Sequence, residues 1–177
     1  MSKYSRRRIN LVFTVSLINI GFATLCTVLS DKFDFIWLRN YNALNILVYV
    51  LAAYLAKKEK LNAARILYLL TSCIGIAIIS SHIGKNGSVE FTYIFNIGLP
   101  YILFSFRREK KLLIVFTILP LLFWFLLYST DYNLFTFSKL DPTIAKEFIY
   151  PIAVSSTISL IIFLLIYFLI INSQYSK

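Results

Sequence analysis

Hydrophobic and polar positions fall in long blocks along this chain. Apolar runs of about twenty residues, the length that crosses a hydrocarbon core of roughly 30 Å, are separated by short charged segments. We predict six helical spans, at residues 10–30, 39–56, 63–81, 91–106, 112–129 and 151–172. The pattern therefore predicts an all-α membrane protein, with residues 1–177 forming one domain that is a bundle of six transmembrane helices.

The connections between the predicted spans differ in length. The second and fourth are short and charged, with the sequences KKEKLN and RREKK, which is typical of antiparallel helical hairpins. The one long connection runs from about Thr130 to Tyr150 and contains Asp141 followed by Pro142. Because Asp is a preferred N-cap and Pro a preferred first helical residue, we expect a short helix to begin at Pro142.

Composition supports a lipid environment. Of the 177 residues, 59% are hydrophobic and 15% are charged, which is too apolar for a fully soluble surface. The net charge of +10 raises the question of nucleic acid. Since the basic residues lie in the connections at the membrane ends, orientation accounts for them, and we expect no nucleic-acid partner.

The distribution of lysine and arginine predicts the orientation. Of the 18 basic residues, thirteen fall on the side of the termini and of the second and fourth connections. The five on the opposite side are Lys32, Arg39, Lys85, Lys139 and Lys146. Positive charge is retained on the cytoplasmic side, so both termini are predicted to be cytoplasmic, in the inner membrane of a bacterium.

Span two carries polar residues at helical spacing. Asn42, Asn45 and Tyr49 follow one another at intervals of three and four and therefore share one face. Polar groups inside a membrane are costly unless they are paired. They either join helices by hydrogen bonds or form one wall of a ligand pocket that opens outward.

A second polar group surrounds the turn between spans three and four. His82, the only histidine, ends span three, and Glu90 begins span four with Tyr93 and Asn96 behind it. Glu90 lies close enough in sequence to pair with His82 across the turn, and it is the single charge that would orient a ligand at the outer membrane face. With Asn42, Asn45 and Tyr49, these four residues form our candidate ligand site; the alternative for Glu90 is a solvated rim residue.

The chain lacks recognisable catalytic and metal-binding patterns. One histidine cannot build a two-histidine haem site or a histidine-rich metal cage, and no nucleophile elbow or phosphate-binding glycine loop is present. Cys26 and Cys73 lie inside apolar runs, where cysteine is usually a small buried hydrophobe. We therefore expect no enzyme activity, no cofactor, no metal and no disulfide.

A resemblance adds to this picture. The segment from Leu61 to Phe135, including the run SSHIGKNGSVEFTYIFNIGLPYILFSFRREKK, resembles the six-helix sensory domains at the N-terminus of bacterial membrane-bound class III adenylate cyclases and sensor histidine kinases. The resemblance implies a receptor that binds a small ligand and regulates a cytoplasmic output domain as a homodimer. Relatives commonly carry a histidine near the position of Glu90, so this sequence departs from the family there.

Two classes of function follow from these observations. The first is a receptor module, in which Ser155, Ser156, Thr157 and Ser159 of span six allow close helix contact in a dimer. The alternative is a substrate-binding membrane subunit of a small-solute transporter, since six spans in a chain of this length also suit such proteins. A purely structural membrane anchor is the remaining possibility.

Overall fold

The computed structural model describes residues 3–32, 35–135 and 139–173, and this part of the chain is helical with no strand. The all-α prediction is therefore confirmed. The chain divides into two compact units, residues 1–72 and 73–177, with the boundary inside the third helix. The prediction of a single domain stays a prediction, and each unit is described by itself.

The first unit contains helix α1 (Lys3–Lys32), helix α2 (Ile36–Lys57) and the beginning of helix α3 (Leu61–Ile83). Helices α1 and α2 pack along their length as an antiparallel hairpin. At one end, Arg39 forms an ion pair of 2.7 Å with Asp31. At the other, the Lys57 ammonium lies 4.6 Å from the centre of the Phe13 ring, a cation–π contact.

Helix α2 ends in a Schellman motif. The Lys60 amide donates to the carbonyl of Leu55, and the Glu59 amide donates to the carbonyl of Ala56, each at 3.0 Å. These bonds satisfy carbonyls that the last helical turn leaves without partners. The motif requires a left-handed residue at Glu59, whose φ is 61°. A side chain is strained in that conformation, which glycine adopts freely.

The second unit begins with the end of α3 and continues through two 3₁₀ turns, Lys85–Gly87 and Val89–Phe91. Helix α4 (Thr92–Leu103) and helix α5 (Lys110–Ser129) follow. Helix α4 is 12 residues long and ends because Phe104 adopts an extended conformation. At 1.5 Å per residue, its length is about 18 Å, well below the thickness of a hydrocarbon core.

The last helical run begins where the sequence predicts. The Asp141 carboxylate accepts a hydrogen bond of 2.7 Å from the amide of Thr143, which confirms the N-cap, and Pro142 is the first helical residue. Helix α6 (Pro142–Ile144) passes into a π-helical turn, Ala145–Ile149, and then into helix α7 (Tyr150–Ser173). The predicted sixth span therefore forms the larger part of a helical run that starts nine residues earlier than its predicted beginning at Pro151.

Helix α7 packs against α4 inside the second unit. The hydroxyls of Thr92 and Thr157 lie 3.2 Å apart. Gly98 allows the helices to approach closely, because a Cβ there would lie 2.6 Å from a methyl of Leu164. Thr157 is therefore turned into its own unit, whereas Ser155 and Ser159 are exposed and donate to the carbonyls of Pro151 and Ser155.

Four helical segments among the described residues are long and apolar enough to cross a membrane: Arg8–Lys32, Leu61–Ile83, Lys110–Ser129 and Pro142–Ile170. Large apolar side chains on them are exposed, for example Val28 at 62%, Phe125 at 69% and Leu169 at 65%. Such surfaces suit lipid rather than water. Helix α2 has the length of a span but carries several polar residues, and α4 is apolar but short.

Candidate functional site

The predicted residues of α2 are buried in the first unit. Asn42 is 1% exposed, Asn45 6% and Tyr49 7%. The ring centres of Tyr49 and Tyr68 are 5.7 Å apart, and the Tyr68 hydroxyl accepts a hydrogen bond of 2.7 Å from the Asn19 amide. These contacts connect α1, α2 and α3 through Tyr49 and Tyr68. The Asn42 amide nitrogen, by contrast, is buried with no hydrogen-bond partner among the described residues.

In the second unit, Tyr93 and Asn96 lie on the face of α4 that meets α3. Both side chains are fully buried. The Tyr93 hydroxyl donates to the backbone carbonyl of Cys73 at 2.9 Å, and the Asn96 amide lies 3.9 Å from the Cys73 sulfur. Their polar ends therefore attach α4 to α3.

Glu90 occupies the 3₁₀ turn before α4 and is only 5% exposed. This burial does not fit the alternative interpretation of Glu90 as a solvated rim residue. Its Oε1 accepts a hydrogen bond of 2.7 Å from the Tyr132 hydroxyl. The structure does not give Glu90 a hydrogen bond to His82, the pairing that the sequence allows across the turn; its side-chain hydrogen-bond partner is Tyr132, in the loop after α5. Among the described residues, Oε2 of Glu90 is buried with no hydrogen-bond partner.

Electrostatics favour the neutral form of this pair. Burial raises the pKa of Glu90, and the hydrogen bond from Tyr132 opposes this shift. The pKa of Tyr132 is raised as well, first by burial and then by its hydrogen bond to Glu90 and by the charge of Asp131. Both pKa shifts favour a phenol that keeps its proton and donates a hydrogen bond to a carboxyl group in an apolar environment.

The loop that carries Tyr132 is strained. Asp131 and Tyr132 have φ values of 46° and 60°, two consecutive left-handed residues without a glycine. Their amides donate to the carbonyls of Tyr128 and Leu127, which ends α5 in a second Schellman motif. Such conformations persist where surrounding contacts hold them. Here the buried Tyr132 side chain, packed with Leu127 and bonded to Glu90, provides those contacts.

His82 lies at the end of α3 and is 2% exposed. Its backbone carbonyl accepts a hydrogen bond of 3.0 Å from the amide of Leu140, just before α6. The chain around this only histidine therefore connects the end of α3 to the beginning of the last helical run.

An open depression of about 320 Å³ lies beside these loops in the second unit. Four of its residues are charged: Lys85, Asp131, Lys139 and Asp141. The remaining lining residues are Ile83, Gly84, Asn86, Leu140 and Pro142. The depression is thus bounded by the turn after α3, by the loop after α5 and by the beginning of α6.

The seven predicted site residues therefore divide between the units, three in the first and four in the second. Their assignment to a ligand site stays a prediction. Sequence reasoning missed Tyr132, because a tyrosine between Asp131 and Asn133 reads as part of an exposed polar loop. The available indication was the sequence Leu-Tyr-Ser-Thr-Asp-Tyr-Asn, in which aromatic residues persist after the apolar run ends.

Among the described residues, no three His, Cys, Asp or Glu side chains are grouped as metal ligands. Comparison with family models, with curated proteins and with solved structures found no match for this chain. The structure defines the class as an all-helical protein with helices long and apolar enough to cross a membrane.

Proposed function

We propose that this chain is a six-span membrane sensor module with both termini in the cytoplasm of a bacterial cell. In this proposal, a small ligand binds at the outer face of the second unit and changes the position of α7. The module acts as a homodimer and regulates a cytoplasmic adenylate cyclase or histidine kinase domain. The charge distribution of the connections and the resemblance described above support this proposal.

The observation that carries the proposal is the hydrogen bond between Glu90 and Tyr132. It joins the turn before α4 to the loop after α5 across a buried, apolar environment. Asp131, next to Tyr132, and Pro142, the first residue of the last helical run, line the same depression. A ligand in this depression that moves the loop of Asp131 therefore also moves Tyr132 and its hydrogen bond to Glu90. A ligand that moves Pro142 acts on the beginning of the helical run that continues into α7.

The proposed spans require α4 to cross the membrane although it is short. Phe91, the last residue of the preceding 3₁₀ turn, extends it at one end, and extended backbone at Phe104 continues it at the other. The basic segment from Arg107 to Lys111 follows directly. If α4 did not cross, this segment would lie outside, against the tendency of positive charge to remain in the cytoplasm.

A cysteine crosslinking experiment tests the sensor proposal. With Cys26 replaced by serine, Ser155→Cys on the exposed face of α7 should form disulfides between two copies in membranes. Thr157→Cys is the matched control, because Thr157 is buried against Thr92 within one chain. Compounds that stabilise the purified protein against heat are then added, and we expect at least one to change the Ser155→Cys yield.

Two results would contradict the proposal. Equal crosslinking at both positions would mean that α7 does not form a specific interface. A Ser155→Cys yield that no stabilising compound changes would mean that ligand binding is not transmitted to α7. The transporter alternative would gain if such a compound crossed the membrane in vesicles that contain the protein.

A further inference from the structure

The depression in the second unit has an unusual charge arrangement. Two lysines, Lys85 and Lys139, and two aspartates, Asp131 and Asp141, line one depression. Among the described residues, none of these groups is in ion-pair contact with another. Lys139 instead donates to the backbone carbonyl of Asp131 at 3.3 Å, and one Asp141 oxygen accepts from the Thr143 amide.

Opposite charges that surround a cavity without pairing leave both signs available to a ligand. A simple anion would meet the two carboxylates, and a simple cation would meet the two ammonium groups. A molecule that carries both charges a few ångströms apart satisfies both, with electrostatic complementarity setting its orientation. The apolar side chains of Ile83, Leu140 and Pro142 suit a short carbon linker between the two charged ends.

The volume agrees with a small ligand. About 320 Å³ lies at the lower end of the range for ligand pockets. The backbone at Gly84 also favours access, because its φ of 79° excludes most other residues and a Cβ there would meet open space.

We propose that this depression binds a small zwitterion with an ammonium and an anionic group, of the phosphoethanolamine type. The anionic group lies between Lys85 and Lys139, and the ammonium lies against Asp131. The ligand comes either from solution or from the headgroup of a bilayer lipid, since the two share this chemistry. The inference rests on the proposed function for its location at the outer face, and it names the ligand class of that sensor.

Calorimetric titration of the full-length protein in detergent tests the site with phosphoethanolamine, ethanolamine and inorganic phosphate. We expect phosphoethanolamine to bind about tenfold or more tightly than either fragment, because only it uses both charge signs. Asp131→Asn and Lys85→Gln should each weaken binding by about tenfold. Asparagine tolerates the left-handed backbone of position 131, so this change removes the charge and keeps the conformation.

Matched controls lie on the neighbouring π-helical turn. Lys146→Gln and Glu147→Gln remove exposed charges of the same types that do not line the depression, and they should leave binding unchanged. Equal weakening by the controls would overturn the site in favour of general surface charge. Phosphate binding as tight as phosphoethanolamine, and insensitive to Asp131→Asn, would overturn the zwitterion in favour of an anion.

Nanodiscs distinguish the two sources. Asn86→Cys, at the cavity, should be protected from a thiol reagent in phosphatidylethanolamine discs relative to phosphatidylglycerol discs if the lipid headgroup is the ligand. Protection only by added phosphoethanolamine would identify the soluble source. No protection in either case, together with no heat of binding, would overturn the proposal.

The two proposals fail separately. If phosphoethanolamine binds with the expected variant pattern but leaves the Ser155→Cys crosslink unchanged, the zwitterion site stands and the sensor proposal fails. If another compound changes the crosslink and phosphoethanolamine does not bind, the sensor stands and the zwitterion site is wrong.

Discussion

Glu90 and Tyr132 illustrate how burial changes the chemistry of a single side chain. A glutamate at the end of an apolar helix would be an ordinary solvated charge if water reached it. In this structure the carboxyl group is 5% exposed and its described partner is one phenol. An unpaired charge in such a place is costly, so the acid is stabilised in its neutral form.

The pH dependence of stability should report this neutral form. Because the pKa of Glu90 is raised by burial, the folded state holds the proton more tightly than the unfolded state. The resulting stabilisation is present below the ordinary pKa of 4.5 and is lost as the pH rises through the folded value. Glu90→Gln, which keeps an oxygen acceptor and cannot ionise, should remove this decline in melting temperature.

A second variant separates the hydrogen bond from the ionisation. Tyr132→Phe removes the side-chain hydrogen bond to Oε1 of Glu90 and should cost about 1–3 kcal/mol of stability. It should also retain a pH dependence, unlike Glu90→Gln. If the parent and Glu90→Gln lost stability in parallel as the pH rose, Glu90 would be ionised in the folded state.

At the level of the elements, the sequence predicts a helix end where local capping residues determine it, and fails where distant contacts determine it. The start at Pro142 was predicted because Asp141 and Pro142 are local capping chemistry. The 3₁₀ turns before α4 and the early end at Phe104 were not, since both depend on contacts made by distant residues. The position of Tyr132 was missed for the same reason: the loop residue is buried only because α3, α4 and α5 form a core around it.

The end of α2 offers a test of element stability. Glu59 is left-handed in a Schellman motif, and Glu59→Gly removes the strain of a side chain there. We expect a gain of about 1 kcal/mol, within the range by which left-handed conformations disfavour side chains. Lys58→Gly is the control, because Lys58 has a φ of −79° and should lose stability instead. A loss with Glu59→Gly would show that the carboxylate makes an unrecognised stabilising interaction.

For the whole molecule, the length and apolarity of four helical segments agree with the sequence prediction of a membrane protein. The two remaining predicted spans correspond to α2, which carries several polar residues, and to α4, which is short. Polar residues of α2 make contacts inside the first unit, and the short α4 is joined to α3 through Cys73. Buried helices of soluble domains can be partly polar, like α2, or short, like α4. Hydropathy by itself therefore does not separate these two helices from that class.

Cysteine accessibility in intact cells tests the six-span topology. A membrane-impermeant thiol reagent should label a cysteine at Asn86 and should not label one at Lys58 or Arg108. After the cells are opened, all three should react. Labelling of Arg108→Cys in intact cells would place the segment after α4 outside the cell and exclude the six-span topology. Labelling of Lys58→Cys would reverse the orientation of the first unit.

The π-helical turn at Ala145–Ile149 has a consequence for how the last helix is aligned. A π turn accommodates one residue more than an α turn, so it is equivalent to a single insertion that the helix has absorbed. Deleting one residue there would restore regular α-helical spacing and leave the direction that α7 faces relative to the Asp141 cap nearly unchanged, because the π turn uses its extra residue to complete the same rotation. A deletion in a regular turn of α7 would instead rotate the residues after it by about 100°. The π turn is therefore the place where the last helical run tolerates a change of one residue in length while α7 keeps its alignment.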